Sequence, residues 1–72
     1  MRDWLKDKRR ERGYTMAQMA EKLDITESYY SMIEAGDRQK KMDVILAGKI
    51  SSILAIPVEK IAELEVGNPV ED

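Results

Sequence analysis

Cysteine and histidine are both absent from this 72-residue chain, and each absence removes chemistry. Without cysteine there is no disulfide and no thiolate metal site; without histidine the commonest metal ligand and general base are missing. No run of about 18 apolar residues occurs, so no membrane span is expected. The opening "MRDWLKDKRR" is charged and lacks the apolar segment that follows the basic start of a secretory leader, which points to a cytoplasmic protein. Nor is there a glycine-rich phosphate loop. A metal centre, a cofactor, a small-molecule substrate and an enzyme's cleft are therefore not expected.

What is present is a helix-forming sequence. Apolar residues make up 43 % and charged residues 36 %, a balance that suits a folded domain rather than a disordered tail. A chain this short buries only about 60 % of the surface its unfolded form exposes, so good capping or dimerisation is needed for stability. The net charge of −2 is unevenly distributed. Residues 1–41 hold ten Lys and Arg against eight Asp and Glu, whereas residues 42–72 hold two against six. A weakly basic front thus precedes an acidic back, leaving room for a local basic face.

The spacing predicts five helices. The first, over 2–12, carries Trp4, Leu5 and the stems of Lys8, Arg9 and Arg12 at helical intervals and stops at Gly13, which takes the left-handed conformation without steric cost. Thr15 with Gln18 forms a capping box for a second helix ending near residue 22, whose stripe is Met16, Met19, Ala20 and Leu23. Thr26 followed by Glu27 opens a third, running to 34 or 35 and stopped by Gly36. Two short helices across so short a turn make a helix-turn-helix pattern. Asp43 caps a fourth, with Leu46, Ala47, Ile50, Ile53 and Leu54 in register and Gly48 expected where another helix crosses closely. Pro57 is expected to end it and open a fifth over 58–64, with Ile56 and Ile61 as a staple. The domain is expected to span 1–66, with 67–72 a frayed tail.

The string "T..QMAEKLDIT...YSMIEAG", with "LAIPVEKI" further on, resembles the lambda-repressor-like family, also called the Cro/CI or XRE type, over nearly the whole chain. The resemblance implies an all-α, five-helix domain whose third helix reads the major groove of double-stranded DNA, a role for Glu27, Ser28 and Met32 at base edges, and one for Tyr29 at the sugar-phosphate backbone. It also implies a largely buried salt bridge between Arg9 and Glu34, and core positions for Ile25, Tyr30 and Ile33. The chain departs from the family pattern in three places. Met16 stands where a phosphate-binding glutamine is common, Asp24 where the turn glycine is usual, and Asp37 where a lysine is common.

The residues alone support the same geometry. Tyr30 and Ile33 share an inner face, which turns Glu27, Ser28, Ser31 and Met32 outward. A glutamate can accept from cytosine N4, a serine suits either kind of edge, and a methionine can meet a thymine methyl. Thr15, Thr26 and Tyr29 can reach phosphate oxygens, as can Arg38, Lys40 and Lys41 in the connector. Most of "KDKRRER" reads as a solvated helix face, and Met16 and Met19 as core filler.

The expected function is therefore that of a sequence-specific regulator, a repressor, acting as a homodimer on a pseudo-palindromic operator. The competing reading is a protein-interaction module, such as an antitoxin-like or anti-repressor subunit, with weak or no DNA binding.

Overall fold

A computed structural model describes residues 2–66; the expected tail at 67–72 lies outside the described residues. The order is α1 (Asp3–Glu11), α2 (Met16–Leu23), α3 (Glu27–Ala35), α4 (Val44–Leu54) and α5 (Val58–Val66), with no strand among the described residues. The heads of α2, α3 and α4 follow from local chemistry.

At α2 the capping box is complete. Thr15 Oγ1 accepts from the Gln18 amide at 3.1 Å, and the Thr15 amide donates to Gln18 Oε1 at 2.8 Å. Thr26 Oγ1 accepts from the Tyr29 amide at 3.1 Å at the head of α3, and Asp43 Oδ1 from the Leu46 amide at 2.7 Å at the head of α4. Each such cap contributes about 0.5–2 kcal/mol by satisfying an amide that the helix leaves open. α3 ends at Gly36, with φ +86°. α2 ends at Asp24 with φ +60°, a conformation that a short polar side chain tolerates. The turn of three residues between α2 and α3 closes when the Ile25 amide donates to the Ala20 carbonyl at 3.0 Å.

Two expectations about α4 need correction. Its end is made by Ala55, which takes the left-handed conformation (φ +55°), not by Pro57. Pro57 instead supplies the carbonyl that receives the Lys60 and Ile61 amides and so starts α5. Gly48 is exposed, and a Cβ built there would meet nothing within 4 Å; no helix crosses it closely.

The core is one cluster drawn from all five helices and the 55–57 connection: Leu5, Met19, Ala20, Leu23, Tyr30, Ile33, Leu46, Ile50, Leu54, Ile56 and Ile61. Fully burying a Leu, Ile or Met side chain is worth about 1.5–3 kcal/mol, so this cluster dominates folding. α2 packs directly on α3, and Ala20 is buried in the core. Ile25 and Met16 are half-buried against the cluster rather than inside it.

Candidate nucleic-acid interface

α3 divides by burial. Tyr30, Ile33 and Glu34 are buried, whereas Glu27, Ser28 and Ser31 are exposed. Successive residues lie about 100° apart around the axis, so 28 and 31 share one side and 30 and 33 the other, while Glu27, on nearly the same line as Glu34 two turns on, is exposed because it stands at the helix head. Met32, expected to face outward, is half-buried, and Tyr29 is also half-buried and packs on the core. The exposed residues of the helix are thus Glu27, Ser28, Ser31 and, at its end, Ala35.

The buried side of α3 is held by a three-residue polar network. Arg9 Nε donates to Glu34 Oε2 at 2.7 Å, and Arg9 Nη1 to the Tyr14 carbonyl at 2.9 Å. The Tyr30 hydroxyl donates to the same Glu34 oxygen at 2.6 Å. The hydrogen bond to Glu34 raises the Arg9 pKa, against the opposing effect of burial. Burial pushes the Tyr30 phenol well up, and the Glu34 carboxylate beside it adds to that. The network ties α1 to the last turn of α3, which fixes the angle at which the exposed face is presented.

Several other exposed groups are able to donate to an anion. Thr15 and Thr26 are exposed at the heads of α2 and α3. Their oxygens accept the capping bonds, and each O–H remains to donate. Arg38, Lys40 and Lys41 are exposed on the loop between α3 and α4. Asp37, also exposed, begins that loop with its amide on the Met32 carbonyl at 2.9 Å.

The loop has an internal frame that the sequence did not announce. Gln39 is left-handed (φ +55°) and half-buried. Its Nε2 donates to the Tyr29 hydroxyl oxygen at 3.0 Å, while its Oε1 accepts from the Asp43 amide at 3.1 Å. Tyr29 is therefore joined to the loop and keeps its O–H available. No local signal singles out Gln39, because both partners are four or more residues away and in different elements.

Two other groups escaped sequence reasoning. Arg2, expected only as the start of a helix, is completely buried and paired with Glu65, and Trp4 Nε1 donates to the same Glu65 at 2.7 Å. Next to the loop between α3 and α4, Val44, Val58 and Val66 are exposed and, with Lys40, Lys41 and Glu65, line a groove of about 500 Å³ between α4 and α5. Val58, Ile61 and Leu64 fall at helical spacing along α5 as a candidate contact for a second copy; of these, Ile61 is used in the domain's own core and Leu64 is half-buried, which leaves Val58 open. Among the described residues no helix is long and apolar enough to cross a membrane.

Residues 5–61 match the helix-turn-helix family. The chain is also 44 % identical over 54 residues to the uncharacterized HTH-type transcriptional regulator YqaF of Bacillus subtilis (strain 168), an alignment covering 75 % of this chain and 68 % of that protein. No solved structure matches it. With five helices in this order, the capped turn between α2 and α3, and a match across most of its length, the chain belongs to the XRE-type helix-turn-helix family, a family of DNA-binding transcription regulators rather than of enzymes.

Proposed function

We propose that the protein represses transcription in the cytoplasm by seating α3 in the major groove of an operator. Glu27, Ser28 and Met32 would read base edges, and Thr15, Thr26, Tyr29, Arg38, Lys40 and Lys41 would meet the sugar-phosphate backbone. The observation that carries this reading is the exposure of Glu27, Ser28 and Ser31 on α3, a helix followed by a loop bearing three exposed cations. A face of that composition has no packing role, and its donors and acceptors suit base edges. The acidic overall charge does not oppose it, because the cations are local.

Half-sites about 34 Å apart suit a symmetric dimer, and the groove beside Val44, Val58 and Val66 supports a second copy as partner. A pseudo-palindromic operator follows from that symmetry.

The test is selection of bound duplexes from a random DNA pool, followed by affinity measurements across a salt series. A recovered half-site repeated at a fixed spacing, bound with an affinity that falls steeply with salt, is the expected result. Indifference to every duplex at low salt would favour a protein-interaction module instead.

A further inference from the structure

Arg2 uses every hydrogen-bond donor an arginine has. A guanidinium carries five N–H groups in a rigid plane. Nε donates to Glu65 Oε2 at 2.8 Å and Nη2 to Glu65 Oε1 at 3.0 Å, a two-point grip on the carboxylate of α5. Nη1 donates to the Ile33 carbonyl at 2.7 Å and the Arg38 carbonyl at 3.2 Å, and the remaining Nη2 proton goes to the Gln39 carbonyl. The Arg2 backbone amide adds a bond to the Glu34 carbonyl at 2.7 Å.

These partners belong to three parts of the fold. Ile33 and Glu34 are in the last turn of α3, where carbonyls lack helical partners and a cation is favoured by the helix dipole. Arg38 and Gln39 are in the loop that carries the exposed cations, and Glu65 is on the last helix. A side chain with 0 % exposure cannot touch DNA, so any effect it has on binding must pass through what it holds.

We propose that Arg2 is a positioning residue for DNA binding: clamped by Glu65, it holds the 37–40 backbone against the end of α3 and so sets where Arg38 and Lys40 meet phosphates. The DNA consequence rests on the function proposed above. Within the loop the clamp acts on the neighbouring carbonyls of Arg38 and Gln39, while the Gln39 side chain spans Tyr29 and Asp43, so backbone and side chain of this segment are both held. A lysine would keep the charge but supply only three donors from one point, too few for these acceptors.

The experiment compares the wild-type chain with Arg2→Lys and Glu65→Gln, at a temperature where circular dichroism shows each fully folded. Two readouts are taken. Amide hydrogen exchange at Asp37, Arg38 and Asp43, all hydrogen-bonded in the native loop, is expected to accelerate while α2 and the buried half of α3 stay protected. Affinity for the selected operator and for an arbitrary duplex is expected to fall alike, by about tenfold, as one or two phosphate contacts are lost, with base preference unchanged. Where Arg38 and Lys40 are already alanine, Arg2→Lys is expected to have no further effect on affinity.

Unaltered loop exchange in both variants overturns the clamp. A loss of affinity that persists in full without the loop cations, or a changed base preference, overturns the route through the loop. If the wild-type chain binds no duplex at low salt, the reading of function fails instead, and exchange still decides whether Arg2 holds the loop.

Discussion

Glu34 Oε2 receives Arg9 Nε at 2.7 Å, with side-chain exposures of only 8 % and 3 %, so the ion pair is part of the interior. Glu34 also receives the Tyr30 hydroxyl, which leaves little of its charge unsatisfied. Replacing one partner leaves the other buried without compensation. Arg9→Ala is expected to destabilise the fold by about 3–5 kcal/mol in urea or thermal unfolding. A loss below about 1 kcal/mol, the worth of an exposed pair, would contradict this burial.

Tyr30 gives the network a pH signature. Its proton is held more tightly in the folded chain than in the unfolded one, because burial and Glu34 both disfavour the phenolate. The stability this contributes is complete below the pKa of free tyrosine, about 10, and declines as pH rises above it. Unfolding followed between about pH 9 and 11 should show a steeper loss for the wild-type chain than for Tyr30→Phe. At neutral pH the same variant should cost about 1–3 kcal/mol, the worth of a hydrogen bond to a charged group.

The loop cations should act on DNA without regard to sequence. Replacing Arg38, Lys40 and Lys41 together by Ala is expected to weaken binding to all duplexes and to flatten the salt dependence by up to about three units of slope, one per lost phosphate contact. A loss confined to one sequence would show that these residues read bases.

The exposed face of α3 should behave in the opposite way. Ser28→Ala is expected to leave stability within about 0.5 kcal/mol, whereas half-buried Met32→Ala should cost nearer 1 kcal/mol. Each should change discrimination between bases by about 1–3 kcal/mol if it makes a strong contact. Glu27→Gln removes a carboxylate from the neighbourhood of phosphates. It should hold or raise total affinity while relaxing the preferred base, as read by repeating the selection. Unchanged preference in all three folded variants would remove α3 from the reading role.

Val66, 86 % exposed beside the α4–α5 groove, offers a test of self-association that spares the core. Val66→Glu is expected to shift sedimentation toward monomer with little change in thermal stability. A wild-type chain that sediments as a monomer, both free and on DNA carrying two half-sites, would exclude the dimer.

What the sequence determined by itself is the local architecture. Helix heads at Thr15, Thr26 and Asp43 are legible because an N-cap side chain answers an amide only two or three residues away, and such chemistry survives in any tertiary context. Gly36 is legible for a related reason, since its left-handed φ suits a residue without Cβ. The division of α3 into buried Tyr30 and Ile33 and exposed Ser28 and Ser31 follows from helical period alone. Gly48 shows the limit of such reasoning, because a helical glycine is compatible with a close crossing or with open solvent, and only the position of neighbouring helices decides. The same holds for Met32, whose half-burial depends on surroundings beyond its own helix. The Arg2 clamp is the extreme case. Its carboxylate lies 63 residues away and its carbonyl acceptors more than 30 away, so no periodicity, cap or spacing connects them. Only the placement of α5 near the end of α3 brings Glu65 to Arg2 and turns two charges that read as surface groups into a part-buried pair.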